Sequence, residues 1–139
     1  GRKPSSTNLE GTEVLVVDDD PVNSMLAAEV LRAAGAIVFT ADTGPAALAF
    51  LKQRTPNVVL MDWRMPGMDG METTRILRQH ARPEVAQLPV IGLTANTNAL
   101  DKERCLQSGM NDVLAKPMDI LVVKEMVEAL FTAERDSQP

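Results

Sequence analysis

Short runs of consecutive apolar residues alternate along this chain with stretches in which apolar residues recur every three or four positions. A continuous β-branched run suits a strand buried on both faces, and the wider spacing suits a helix with one buried stripe. Val14-Leu15-Val16-Val17 is the first such strand. Asp20 then reads as a helix cap with Pro21 at the first helical position. That helix carries Leu26, Val30 and Leu31 at helical spacing and stops at Gly35. Ile37-Val38-Phe39-Thr40 is a second strand, and a second helix starts at Thr43 or Gly44 and runs through Ala46, Leu48 and Leu51 to Gln53. Val58-Val59-Leu60-Met61 is a third strand, and a turn-rich segment from Arg64 to Gly70 leads into a third helix over Glu72 to His80. Pro89 to Leu93 is a fourth strand, Asn98 caps a fourth helix that ends near Gly109, and Asp112 to Ala115 is a short fifth strand. Asp119 caps a last helix over Ile120 to Thr132. Five strands alternating with five helices predict an α/β doubly wound fold built on a parallel sheet.

Composition narrows this picture. A chain of 139 residues, 45% of them apolar, is one globular domain's worth. Acids outnumber bases by 19 to 14, so the net charge of −5 argues against nucleic-acid binding by this segment. A lone cysteine, Cys105, precludes an internal disulfide and suits a reducing, cytoplasmic setting. No apolar run approaches the roughly 18 residues of a membrane span, so no membrane contact by this segment is expected. Residues 1–11 are polar and read as a linker or remnant, residues 12–133 as the folded domain and residues 134–139 as a flexible tail. The chain begins with Gly1 rather than Met, as a piece of something longer would.

In doubly wound sheets, ligands bind outside the carboxyl ends of the strands. Asp18 and Asp19 end the first strand, Asp62 the third and Thr94 the fourth, and Lys116-Pro117 follows the fifth. Taken singly, each has a plainer reading: an Asp after a strand is more often a helix cap, and a loop Lys is usually solvated. Taken together, three carboxylates, a hydroxyl and an ammonium converge on one sheet edge. Crowded carboxylates raise one another's pKa unless a cation joins them, and an all-oxygen ligand set favours Mg²⁺. Mg²⁺ held by one or two carboxylates commonly takes phosphate oxygens as further ligands, so the edge is suited to phosphoryl transfer onto a carboxylate.

These residues carry a resemblance. Val16-Val17-Asp18-Asp19, Asp62 with Met65-Pro66 and Asp69-Gly70, Leu93-Thr94-Ala95 and Lys116-Pro117 resemble the response-regulator receiver family over Thr12 to Phe131. The resemblance implies a single (βα)5 flavodoxin-like domain with strand order 2-1-3-4-5. It implies Asp62 as phosphoacceptor, with Mg²⁺ held by Asp19, Asp62 and the backbone carbonyl of Arg64, and by Asp18 largely through water. It implies Thr94 as a switch hydroxyl, Lys116 as a contact to the phosphoryl group and a cis bond before Pro117. It implies a histidine kinase or histidine phosphotransfer domain as partner. Gly109-Met110-Asn111-Asp112, Leu114 to Met118 and Pro21-Val22-Asn23 resemble receivers of hybrid sensor histidine kinases, whose setting would be the cytoplasmic part of a membrane-anchored sensor. One departure stands out: Val113 occupies a position where the family usually has an aromatic residue or histidine coupled to the threonine.

Lesser signals and rival readings complete the picture. In the last helix Ile120, Val123, Val127 and Leu130 form a core stripe, and Leu121, Val122 and Met126 lie off it. The second stripe marks either partial burial or a homodimer surface beside the fourth helix. Arg64 and Asn96 border the expected phosphoryl position. Trp63 is expected on the surface loop, Cys105 as an inert residue on a half-buried helix face, and His80 as a cation at a helix C-terminus. Asp18 and Asp20 also give the D-x-D spacing of a Mg²⁺-dependent haloacid-dehalogenase-type phosphatase with Asp18 as nucleophile. A scaffold receiver that keeps the fold without phosphorylation is a further alternative.

Overall fold

The computed structural model describes residues 9–95, 98–116, 119, 121–127 and 129. Its strands are β1 (Glu13–Val17), β2 (Ile37–Ala41), β3 (Val58–Asp62), β4 (Val90–Thr94) and β5 (Asp112–Ala115). Its helices are α1 (Pro21–Ala33), α2 (Gly44–Gln53), α3 (Gly70–Arg78), a single turn α4 (Pro83–Ala86) and α5 (Ala99–Gln107). Residues 121–127 form a further helix, α6. The strands make one parallel sheet in the order β2-β1-β3-β4-β5. The strand order reverses between β1 and β3, which opens a crevice at their carboxyl ends.

The apolar runs are continuous because both faces of the sheet are covered. Side chains alternate between faces, so Leu15, Val17, Val59 and Met61 pack into one cluster with Ala47, Leu51, Leu77 and Cys105. Val14, Val16, Val58 and Leu60 pack into the other with Ala28, Leu31, Val123 and Val127. One layer of helices is therefore α2, α3 and α5, and the other is α1 and α6.

Side-chain caps set the helix starts. Asp20 accepts from the amides of Val22 and Asn23, Thr43 from Ala46, and Asn98 from Asp101. Asp69 accepts from the Glu72 amide at 2.8 Å, so the third helix starts at Gly70 rather than at Glu72 and ends at Arg78. His80 consequently lies beyond the helix. Its Nδ1 accepts a hydrogen bond from the Arg82 amide at 3.0 Å, so the ring is tied to the loop ahead of the next turn rather than to the last carbonyls of the helix. The turn α4 was not foreseen; it has no side-chain cap and spans four residues.

Other expectations are corrected by packing. Leu26 and Val30 do not face the core of α1: the small Ala28 and the following Leu31 do, and Leu26 is 52% exposed. Val22, Met25, Leu26 and Val30 instead form an uncovered apolar face. Trp63 is buried in the core beneath the loop, not spread on its surface, and Cys105 is fully rather than half buried. Leu9, in the polar leader, is 1% exposed and packs against β1 and α1. Gly11 donates to the Gly35 carbonyl, and at Gly35 (φ 98°) a Cβ would stand 2.8 Å from the Glu10 backbone, so the segment before β1 is laid over the end of α1. The expectations for Asn96, Pro117, Ile120, Leu130 and residues 134–139 lie outside the described residues.

Candidate functional site

Each strand delivers its polar residue to the crevice. Asp18 follows β1, its amide donating to the Ala41 carbonyl at 3.1 Å, and its Oδ1 accepts from the Asp20 amide at 2.9 Å. These two bonds hold the Asp18 carboxylate at the strand end while Asp20 turns away to cap α1. Asp62 is the last residue of β3, and its neighbour Trp63 continues the ladder by donating to Leu93 and accepting from Gly70. Gly70 is required by that approach: a Cβ there would stand 2.2 Å from the Asp62 carbonyl oxygen. Thr94 ends β4, and its carbonyl accepts from the Lys116 amide at 2.8 Å, which carries the lysine over the same edge.

Lys116 Nζ lies 2.9 Å from Asp62 Oδ1 and 3.7 Å from Asp18 Oδ2. Carboxylate oxygens of Asp18, Asp19 and Asp62 all lie within 4.8 Å of one another. Asp18 and Asp62 are buried and Asp19 is exposed, so the cluster opens to solvent on one side. Burial pushes the Asp62 pKa up from 3.8 to about 6; the Lys116 hydrogen bond opposes this and the Asp18 charge adds to it. Burial opposes the Lys116 charge as well, but its hydrogen bond to Asp62 and the two carboxylate charges outweigh that and raise its pKa. One ammonium thus leaves the acids under-compensated. The donors are hard oxygens, and the raised Asp62 pKa means they gain from a further cation, so the set fits a metal ion of the hard divalent class.

A cavity of about 300 Å³ adjoins the cluster, lined by Asp62, Arg64, Thr94, Ala95, Asp101 and Lys116. The Arg64 guanidinium stacks 5.1 Å from the centre of the Trp63 ring at its rim. On the other side of Lys116 lies a second cavity of about 290 Å³, formed by Asn23, Leu26, Ala27, Val30 and Leu93 with Asp18. The site therefore passes directly into the uncovered face of α1. The sequence reading brought Asp18, Asp19, Asp62, Thr94 and Lys116 together as the structure does, but it missed Asp101 in the pocket wall and the α1 face. Asp101 was visible only as a first-turn acid of a capped helix. The α1 stripe looked like core because periodicity cannot tell an inward from an outward stripe. Val113 pairs with Gly92 in the sheet and is buried beside Met110 and Cys105, as an aliphatic core residue.

Known proteins share this arrangement. The family model of the response regulator receiver domain matches residues 14–128. The sensor histidine kinase RcsC of Escherichia coli K12 is 44% identical over 125 residues, which is 90% of this chain and 13% of that protein. The receiver domain of the sensor histidine kinase PA1611 from Pseudomonas aeruginosa, solved with magnesium in its active-site cleft, is 36% identical with a TM-score of 0.77, covering 86% of this chain and 96% of that one. The receiver domain of Saccharomyces cerevisiae Ssk1, solved with the histidine phosphotransfer protein Ypd1, is 25% identical with a TM-score of 0.76, covering 86% and 88%. The family match over most of the chain, the strand order and the acidic crevice agree: this chain belongs to the response regulator receiver domain family.

Proposed function

We propose that Asp62 accepts a phosphoryl group from a phosphohistidine in a Mg²⁺-dependent reaction, and that residues 12–133 form the unit that does so. The observation that carries this reading is the geometry around Asp62: two further carboxylates within 4.8 Å and an ammonium at 2.9 Å. A carboxylate oxygen of Asp62 forms the new O–P bond as the N–P bond of the donor breaks, and the electron pair returns to the donor imidazole. Asp18, Asp19, Asp62 and the Arg64 carbonyl would hold Mg²⁺, which supplies positive charge to the transferring group. Lys116, already between Asp62 and Asp18, offsets charge on the phosphoryl oxygens, and the Thr94 hydroxyl donates to one of them. With Mg²⁺ and a small phosphodonor, borohydride trapping and peptide mapping should place the label on Asp62, and Asp62→Asn should take none. Label on Asp18 would restore the phosphatase reading, against which Asp20 already stands as a helix cap. An unlabelled parent would favour the scaffold.

The partner in this reading is a histidine phosphotransfer domain or a histidine kinase. The support is the exposed face of Val22, Met25, Leu26 and Val30, which is continuous with the Asp62 crevice and suits an apolar helix face carrying the donor histidine. The Ssk1 receiver's complex with Ypd1 lends this pairing weight. The chain spans about 13% of the length of RcsC, and that likeness supports a place within a hybrid sensor kinase, which in this reading lies on the cytoplasmic side of a membrane. Among the described residues no helix is long and apolar enough to cross a membrane. Self-association through α5 and α6 is supported by Leu100 and Leu121, 67% and 63% exposed. Val122→Glu with Met126→Glu should abolish any such dimer in sedimentation, and an unchanged profile would remove it.

A further inference from the structure

Asp101 is a charged residue of the phosphoryl cavity that the proposed chemistry leaves without a role. It belongs to the first turn of α5, where its amide donates to Asn98 Oδ1 at 2.8 Å and its Oδ2 accepts from Asn98 Nδ2 at 3.0 Å. This reciprocal cap anchors the side chain, yet the residue also lines the cavity with Asp62, Thr94 and Lys116. Among the described residues lining that cavity, it supplies the sole carboxylate besides Asp62. The N-cap itself is Asn98, and what Asp101 adds at the third helical position is a first-turn charge that the helix dipole favours only modestly. An amide there would still accept from Asn98. A fixed negative charge in the wall of a cavity built to receive a phosphoryl dianion is, by contrast, directly repulsive.

We propose that Asp101 is a rate-setting charge for this site: it slows entry of dianionic phosphodonors and shortens the life of the phosphoryl group on Asp62. The inference rests on the reading of Asp62 as phosphoacceptor. In the hydrolytic step, the oxygen of water bonds to phosphorus and the P–O bond to Asp62 breaks. The electron pair returns to the Asp62 carboxylate, and both protons of the water leave with the phosphate as H₂PO₄⁻. The dianion held beside Asp101 is repelled throughout its stay, and its departure relieves that repulsion. The carboxylate therefore weights the balance toward the unphosphorylated state. Asp101 touches neither reacting atom in this scheme and is a specificity- and lifetime-determining residue rather than a nucleophile.

The test compares the parent with Asp101→Asn and Asp101→Glu. Asn keeps the shape and the acceptor for the Asn98 amide but removes the charge; Glu keeps the charge. Phosphorylation by acetyl phosphate with Mg²⁺ and loss of label after the donor is removed are followed at low and high salt. Asp101→Asn should label faster and hold its label longer, each by roughly three- to tenfold at low salt and less at high salt. Asp101→Glu should stay near the parent. If Asp101→Asn matches the parent in both rates, or if Glu and Asn change them alike, the charge has no such role. A parent that takes no label at Asp62 would instead sink the phosphoacceptor reading, and this proposal with it.

Discussion

Asp62 pulls against its own fold. Its carboxyl pKa rises from 3.8 to about 6 in the folded protein, so the folded chain holds that proton more tightly than the unfolded chain does. The stability it lends is fully present below pH 3.8 and is lost as pH rises through about 6. Asp62→Asn has no such loss. In metal-free buffer its advantage over the parent should therefore be near zero at the acid end of that window and level off above it, as read by urea unfolding at each pH. The same shift couples metal binding to protons. Below about pH 6 an incoming divalent ion must displace the Asp62 proton, so Mg²⁺ affinity should fall roughly tenfold per pH unit, with proton release detectable by calorimetry in buffers of different ionisation enthalpy. A flat affinity between about pH 5 and 6 would place the acid strain elsewhere.

At the scale of elements, Arg78 ties together pieces that secondary-structure hydrogen bonds do not. Its guanidinium donates to the carbonyls of Ala86, Leu88 and Gly109 and to Asn111 Oδ1, at 2.6 to 2.9 Å. Asn111 Oδ1 in turn accepts from the Val90 amide at 2.8 Å. The end of α3, the turn α4, the start of β4 and the loop into β5 thus share one cation. Burial lowers the Arg78 pKa, a cost that the full set of acceptors offsets. Arg78→Met should lose about 2–4 kcal/mol in urea unfolding, because several carbonyls are left without a partner. Gly70→Ala should also be severe, since its Cβ would meet backbone at 2.2 Å and would push α3 off the Asp62 strand. Gly92→Ala should be milder: there the obstacle at 2.5 Å is the sulfur of the flexible Met110 side chain.

On the scale of the whole molecule, the doubly wound architecture was legible because five apolar runs each end in polar or turn residues, and a parallel sheet must gather those ends on one edge. Asp18, Asp19, Asp62, Thr94 and Lys116 could thus be brought together before any coordinates. What stayed hidden depends on which way a periodic stripe faces and on long-range partners. Leu26 and Val30 have the spacing of core residues but look outward. Arg78 finds acceptors 8 to 33 residues away. Leu9 is buried because residues 9–11 fold back on Gly35. The outward face of α1 has a consequence at this scale: Val22→Glu with Leu26→Glu should slow phosphoryl transfer from a phosphorylated histidine phosphotransfer protein roughly tenfold or more, while labelling by acetyl phosphate stays at the parent rate. Equal losses with both donors would argue against docking on α1.

The single sulfhydryl offers one practical return. Cys105 is wholly enclosed between α5 and the sheet, and burial raises its thiol pKa further from the reactive range. A thiol reagent such as dithionitrobenzoate can therefore reach it only when α5 lifts. The unaltered protein carries its own stopwatch for that opening: colour development with and without phosphodonor would time how far the charge arriving at the crevice loosens the helix above it.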